Sequence, residues 1–289
     1  MDSNEGAEPV DALCRVRLDG LYSRYNRRRY VDPDPLTFLY DYPDPADREI
    51  VGLIAASLAY GQVKTILKSV STALDCIGPF PARSLRTASP AALRKSLSGF
   101  VHRFATGDHL AGVLTAVREI LVRYGSLHRC FLAGFQPSDP TILPALTRFA
   151  HRLVDAAPTD PGHLVPRPDR GSACKRLNLM LRWLVRRDAV DPGGWAGVPA
   201  SKLIVPLDVH MHRMARELGL THRKAANMKT ALEITAGFSR ICPEDPVRYD
   251  FTLTRPGIRG DLDMAEFLGG RPDSQIVLED RNRYPKQQA

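Results

Sequence analysis

The sequence predicts an all-α fold, and three observations lead there. Apolar residues recur at three- and four-residue spacing through most of the 289 residues. No alternating apolar–polar run long enough for a strand stands out, apart from a short extended piece at 203–207. Hydrophobic residues make up 44% of the chain and charged ones 25%, the balance of a soluble globular protein. The length suffices for one large domain or two smaller subdomains.

The elements follow in order. Residues 1–10 are polar and expected to be disordered. Leu13, Val16, Leu18, Leu21, Tyr22 and Tyr25 fall at helical spacing. Pro33, Pro35, Pro43 and Pro45 make 30–45 a loop around a short apolar piece. A long helix is expected over 47–74, broken near Gly61. Further helices are expected over 89–97, 110–124, 126–132, 142–156, 172–187, 209–218, 223–238 and 246–253. Pro158, Pro161, Pro166 and Pro168 mark the main internal loop. The domain plan is a helical subdomain over 45–170 and a second over 171–270, with a cleft between them. Residues 11–44 pack on the second, and 271–289 form a loose tail.

The formal net charge of +8 favours a polyanionic partner without requiring one. No apolar run approaches the roughly 18 residues that span a bilayer. The acidic, polar start MDSNEGAEPV is unlike a secretory signal, so a cytoplasmic location and no membrane partner are expected. Cys14, Cys76, Cys130, Cys174 and Cys242 are scattered, with no CxxC pair and no iron–sulfur spacing. Reduced thiols and no cofactor are expected. His210 and His212 stand two apart on a helix and point in different directions, so no metal site is expected from them.

The segment LIVPLDVHMHRMARELG (203–219) carries the strongest chemical signal. An apolar approach meets Asp208, and an amphipathic helix follows. An aspartate there caps the first turn and is favoured by the helix dipole. It serves either as a cap alone or as an ionised carboxylate that stabilises a cation or orients a nucleophile. In SACKRLNLMLRWLVRRD, Lys175, Asn178, Leu179, Arg182 and Arg186 share a face beside the apolar stripe of Cys174, Leu177, Leu181 and Leu184. A helix start disfavours a cation, a condition under which a lysine becomes a usable amine nucleophile. The other reading is a solvated lysine on a basic face. Arg182, Arg186 and Arg187, with Arg24, Arg27, Arg28 and Arg29, suit phosphate contacts or ordinary surface alike. Trp183 reads as core, whereas Trp195 in DPGGWAGVP is open to either packing or stacking on a base. Gly61-Gln62 interrupts IVGLIAASLAYGQVKTILKSV, either to present a polar side chain to a cleft or to let helices pack closely.

These residues resemble a known family. VPLDVHMHRMARELG is similar to the segment of helix-hairpin-helix DNA glycosylases, the endonuclease III and 8-oxoguanine glycosylase superfamily, that starts the helix bearing their catalytic aspartate. Asp208 stands at that position. IVGLIAASLAYGQVKTI looks like the superfamily's early helix pair, with Gln62 at the glutamine that approaches the lesion. ACKRLN, SKLIVPLDVH and DPVRYDFTL resemble an uncharacterised bacterial family within that superfamily's reach, the domain of unknown function 2400. The usual LPGVG-type hairpin with its lysine is absent. RDAVDPGGWAGVPASKL stands in its place, and Lys202 lies too near Asp208 to be the usual nucleophile. Lys175, 33 positions before Asp208, matches the spacing of archaeal 8-oxoguanine glycosylases.

The resemblance implies a helix-hairpin-helix glycosylase-like fold with an atypical hairpin. Its function would be excision of a damaged, oxidised base from double-stranded DNA, with or without lyase activity. Lys175 and Asp208 would be catalytic, with Gln62, Arg182, Arg186, Lys202 and His210 on the DNA. A monomer without a cluster is expected. The alternatives are a non-catalytic nucleic-acid-binding module on the same fold and an enzyme acting on RNA or a nucleoside.

Overall fold

Twelve α-helices and one two-stranded hairpin make up the computed structural model, which describes residues 8–258. The α-helices are α1 (Glu8–Tyr25), α2 (Pro45–Ser57), α3 (Val63–Ile77), α4 (Pro81–Thr87), α5 (Pro90–Ser96) and α6 (Gly107–Tyr124) in the first half. They continue as α7 (Leu127–Leu132), α8 (Leu143–Ala156), α9 (Lys175–Val185), α10 (Val209–Glu217), α11 (Met228–Ile241) and α12 (Asp250–Ile258). The all-α reading holds. Residues up to Thr254 form one unit and a second begins at Arg255. The expected tail at 271–289 and the end of the 171–270 segment lie outside the described residues. So do residues 1–7 of the expected disordered start, whereas Glu8 already begins α1.

α6 is the central helix of the first half and packs on α4, α5, α7 and α8. α2, packed on α4 and α7, joins that half to the later helices. It packs on α9 and on a 3-10 stretch at Pro35–Asp41. Gly52 permits that approach, because a Cβ there would already touch Leu184 and Leu39 at 3.5 Å.

The break expected near Gly61 is present. α2 ends at Ser57, and Gly61 has φ +95°, a conformation open to glycine. A Cβ at Gly61 would also lie 2.8 Å from Cδ of Arg103. Arg103 belongs to the tip of a hairpin that the sequence did not announce, β1 (Val101–His102) against β2 (Ala105–Thr106). Two-residue strands are too short to show alternation. α4 was also unannounced, since seven residues starting at a proline carry little periodicity. α11 starts at Met228 rather than 223, because Asn227 caps it by accepting from the Thr230 amide. α9 starts at Lys175 rather than 172. The interval 186–208, where the resemblance puts an atypical hairpin, contains one 3-10 turn at Ala200–Lys202 and no α-helix.

Candidate active site

The site is built from two helix starts that face each other. Lys175 is the first residue of α9, and Cys174 before it is buried with φ +48°. Such a backbone is uncommon outside glycine and is held by its surroundings. The Cys174 amide donates to Ser172 Oγ at 3.1 Å, and Ser172 bridges to Asn227. Asp208 precedes α10 at the end of the buried strip Leu203, Ile204, Val205 and Leu207. The Val205 amide anchors that strip on Thr235 Oγ1 at 3.1 Å. Asp208 Oδ1 accepts from the amides of His210 (3.0 Å) and Met211 (2.9 Å). Its Oδ2 lies 3.5 Å from Lys175 Nζ. Capping and contact with Lys175 are therefore not competing roles for this residue: one oxygen holds the helix and the other meets the amine. The two side chains retain 31% and 21% exposure, so solvent reaches both.

Arg176, the next residue of α9, ties this start to the end of α2. Its guanidinium donates to Ser57 O at 2.9 Å and to His163 O, and lies over the Tyr60 ring at 5.1 Å. Tyr60 donates its hydroxyl hydrogen to His102 O at 2.9 Å, and His163 Nε2 meets the same hydroxyl at 2.8 Å. Burial lowers the pKa of His102 and of His163, with Arg176 acting in the same direction on each. His102 Nδ1 pairs with Ser69 Oγ at 2.9 Å and its Nε2 with Tyr60 O at 3.1 Å. Gln62 follows two residues after Tyr60, exposed, at the start of α3, and its side chain caps nothing. The tyrosine of the YGQ turn and the arginine after Lys175 were the readable signals of this cluster.

The structure corrects the role expected for Arg182 and Arg186. They are 3% and 5% exposed and reach no open surface. Arg182 binds Asp191 at 3.1 Å and also Asp250. Arg186 binds Asp188 and Asp245 at 2.8 Å each, and Asp191. Around these two arginines the polar face of α9 is covered by carboxylates rather than water, so neither is available to a phosphate. Burial pulls both guanidinium groups down, yet the aspartates hold them above their ordinary values. Burial raises Asp191 against both arginines and Asp250 against Arg182. Asp250 also feels the candidate pair, since Asp208 raises it and Lys175 lowers it. The network therefore lies within electrostatic reach of the site. Two aspartates close after Arg186, at 188 and 191, were the readable signal.

The remaining candidates divide. Lys202 donates from Nζ to Asp139 O at 2.8 Å and fastens the loop before α8. His210 is half-buried in the first turn of α10 beside Asp208. His212 Nε2 pairs with Arg223 O at 2.9 Å. No group of three His, Cys, Asp or Glu side chains among the described residues is placed to hold a metal ion. No helix among them is long and apolar enough to cross a membrane. Trp183 is fully buried, as expected. Trp195 is also core: its Nε1 donates to Glu49 Oε2 at 3.1 Å, and its ring stacks on His128 at 5.2 Å. Stacking on a base is closed to it.

A family described as "Protein of unknown function (DUF2400)" matches residues 34–259. The chain belongs to that family. The match covers α2 to α12 and includes both Lys175 and Asp208. A search of curated proteins finds no match. A search of solved structures likewise finds none.

Proposed function

We propose that this protein is a DNA base-excision enzyme in which Lys175 is the nucleophile and Asp208 its carboxylate partner. The carrying observation is the 3.5 Å approach of Nζ to Oδ2, at two helix starts that solvent reaches. Fixed by two backbone amides, Asp208 is preorganised: its free oxygen needs no rearrangement to act on the amine. An extruded nucleotide is the substrate, because the anomeric carbon is out of reach inside a duplex.

The chemistry balances within the pair and the sugar. Lys175 passes a proton to Asp208 Oδ2, and the free amine forms a bond to C1′. The C1′–N bond to the base breaks, and its electron pair leaves with the base, which takes up the proton. The C1′-bound amine then gives up a proton and its lone pair forms a double bond to C1′, while the C1′–O4′ bond opens and O4′ leaves with that pair and takes up the proton, giving an imine. Addition of water to the imine breaks the C1′–Nζ bond, frees Lys175 and leaves the abasic sugar. Loss of a C2′ proton with departure of the 3′ phosphate completes a lyase step.

Borohydride trapping on duplexes with a panel of oxidised bases tests this reading. A covalent protein–DNA adduct is expected from the wild type. Lys175→Ala should lose it, and Asp208→Asn should reduce it at least tenfold. An adduct of undiminished yield in Lys175→Ala would overturn the assignment. Absence of adduct and of base release over the whole panel would overturn the excision reading.

A further inference from the structure

We propose that the outer face of α10, with the loop that follows it, binds the phosphate backbone of duplex DNA. The inference deepens the base-excision reading and rests on it for the identity of the polyanion. A hollow of about 450 Å³ is lined by Val209, His212, Arg213, Arg216, Glu217 and His222. It begins one residue beyond Asp208. Val209 is 74% exposed there, an apolar side chain next in the chain to Asp208.

Three cations carry the face. Arg213 and Arg216 are exposed and sit three apart on α10, so their side chains are neighbours on one helix surface. Lys224 is exposed two residues after His222. The carboxylates nearby do not cancel them. Glu217 lies 3.8 Å from Arg213, a loose pair in water. Glu233 is taken by Arg223 and by Thr221 Oγ1. That leaves Arg213, Arg216 and Lys224 against Glu217.

The face is continuous with the Lys175 end of α9. His212 Nε2 holds the loop by Arg223 O. The end of the loop bridges Asn227 to Ser172, and the Met228 amide donates to Gly171 O at 3.4 Å. A strand lying along α10 is thereby directed toward Lys175 and Asp208. A phosphate backbone fits this surface better than an acidic peptide, because Val209 is the one apolar residue among those that line the hollow, too little to anchor peptide side chains.

Binding of an undamaged duplex, followed by fluorescence anisotropy from about 50 to about 200 mM salt, reads out phosphate neutralisation directly. The variant Arg213→Ala/Arg216→Ala/Lys224→Ala is compared with a charge-matched variant elsewhere, Arg83→Ala/Lys95→Ala/Arg123→Ala. All six residues are exposed, which keeps folding intact. The first variant should bind at least tenfold more weakly, and its log–log salt slope should fall by about 0.9 for each phosphate no longer neutralised. The second should bind as the wild type does. Equal weakening in the two variants, an unchanged slope in the first, tighter binding of single-stranded RNA, or no duplex binding by the wild type would each overturn the proposal. Trapping on the same proteins separates the two claims. A Lys175-dependent adduct alongside an unaffected triple variant removes the face and keeps excision. A reduced slope without any adduct removes excision and keeps the face.

Discussion

α9 carries two sets of charges with opposite fates. At its start, Lys175 meets Asp208 at 3.5 Å with water in reach of both. Two turns on, Arg182 and Arg186 are sealed among Asp188, Asp191, Asp245 and Asp250. Helical spacing puts these cations on one face, yet only the first pair is open to a ligand. Burial, not residue type or position on the helix wheel, separates charge used for architecture from charge open to a ligand. In the sealed set, removal of either arginine leaves a carboxylate without its cation. In the open set, water takes over when a partner is removed.

The largest expected effect breaks the sealed set. Arg182→Ala leaves Asp250 buried without its cation and Asp191 with Arg186 alone. Removal of one partner from a buried ion pair costs about 3–5 kcal/mol. A denaturant midpoint should register this as a large loss with an unchanged slope. A loss under about 1 kcal/mol would mean that water enters the network and that the contrast along α9 is false.

The sequence revealed the open set better than the sealed one. Asp208 was legible because a helix start has its own signature: an apolar approach, a capping aspartate and the periodic run behind it. Lys175 was singled out by its place early in a periodic run and by the resemblance, although α9 starts at it and not at 172. The partners of Arg182 and Arg186 were not. Periodicity tells which side of a helix a residue faces but not what lies opposite, and Asp250 comes from 68 positions away. Helices long enough to repeat their apolar pattern were read correctly, such as α6 and α8. α4 and the hairpin at 101–106 were missed because each is shorter than the period needed to recognise it. Trp195 was undecidable for the same reason as Arg182, since its partner Glu49 lies 146 positions earlier.

Glu49 sharpens the comparison from another side, as a carboxylate at a helix start that is sealed where Asp208 is open. It accepts from the amides of Leu127 (2.7 Å) and His128 (2.9 Å) and from Trp195. Burial raises its pKa to about 7, against the lowering effect of those donors. Below the ordinary glutamate range both folded and unfolded chains hold the proton, and stability is unaffected. As pH rises toward 7 the unfolded chain releases it first, so the folded state loses ground by about 3 kcal/mol, a loss complete above 7. Glu49→Gln should abolish that slope. The wild type should therefore gain on the variant as pH falls from 7 toward 4.5. A gain in the opposite direction would show that the three donors outweigh burial.

The smallest stability effects belong to the open set, and they separate its two functions. Asp208→Ala removes the acceptor for two amides and should cost about 1 kcal/mol, the usual loss of a helix cap. Asp208→Asn keeps a good capping oxygen and should cost a few tenths, about the difference between good caps. Lys175→Ala should stay within about 0.5 kcal/mol, since a half-exposed ion pair contributes little. If the pair serves chemistry, activity must run against this order. The stability-neutral Asp208→Asn and Lys175→Ala should lose base release and adduct as fully as the destabilised Asp208→Ala does. If the pair serves only to hold two helices together, activity should instead follow stability, with Asp208→Ala worst and Asp208→Asn near the wild type. Thermal midpoints and adduct yields measured on the same three proteins decide between these orders, because the asparagine variant has opposite ranks in the two.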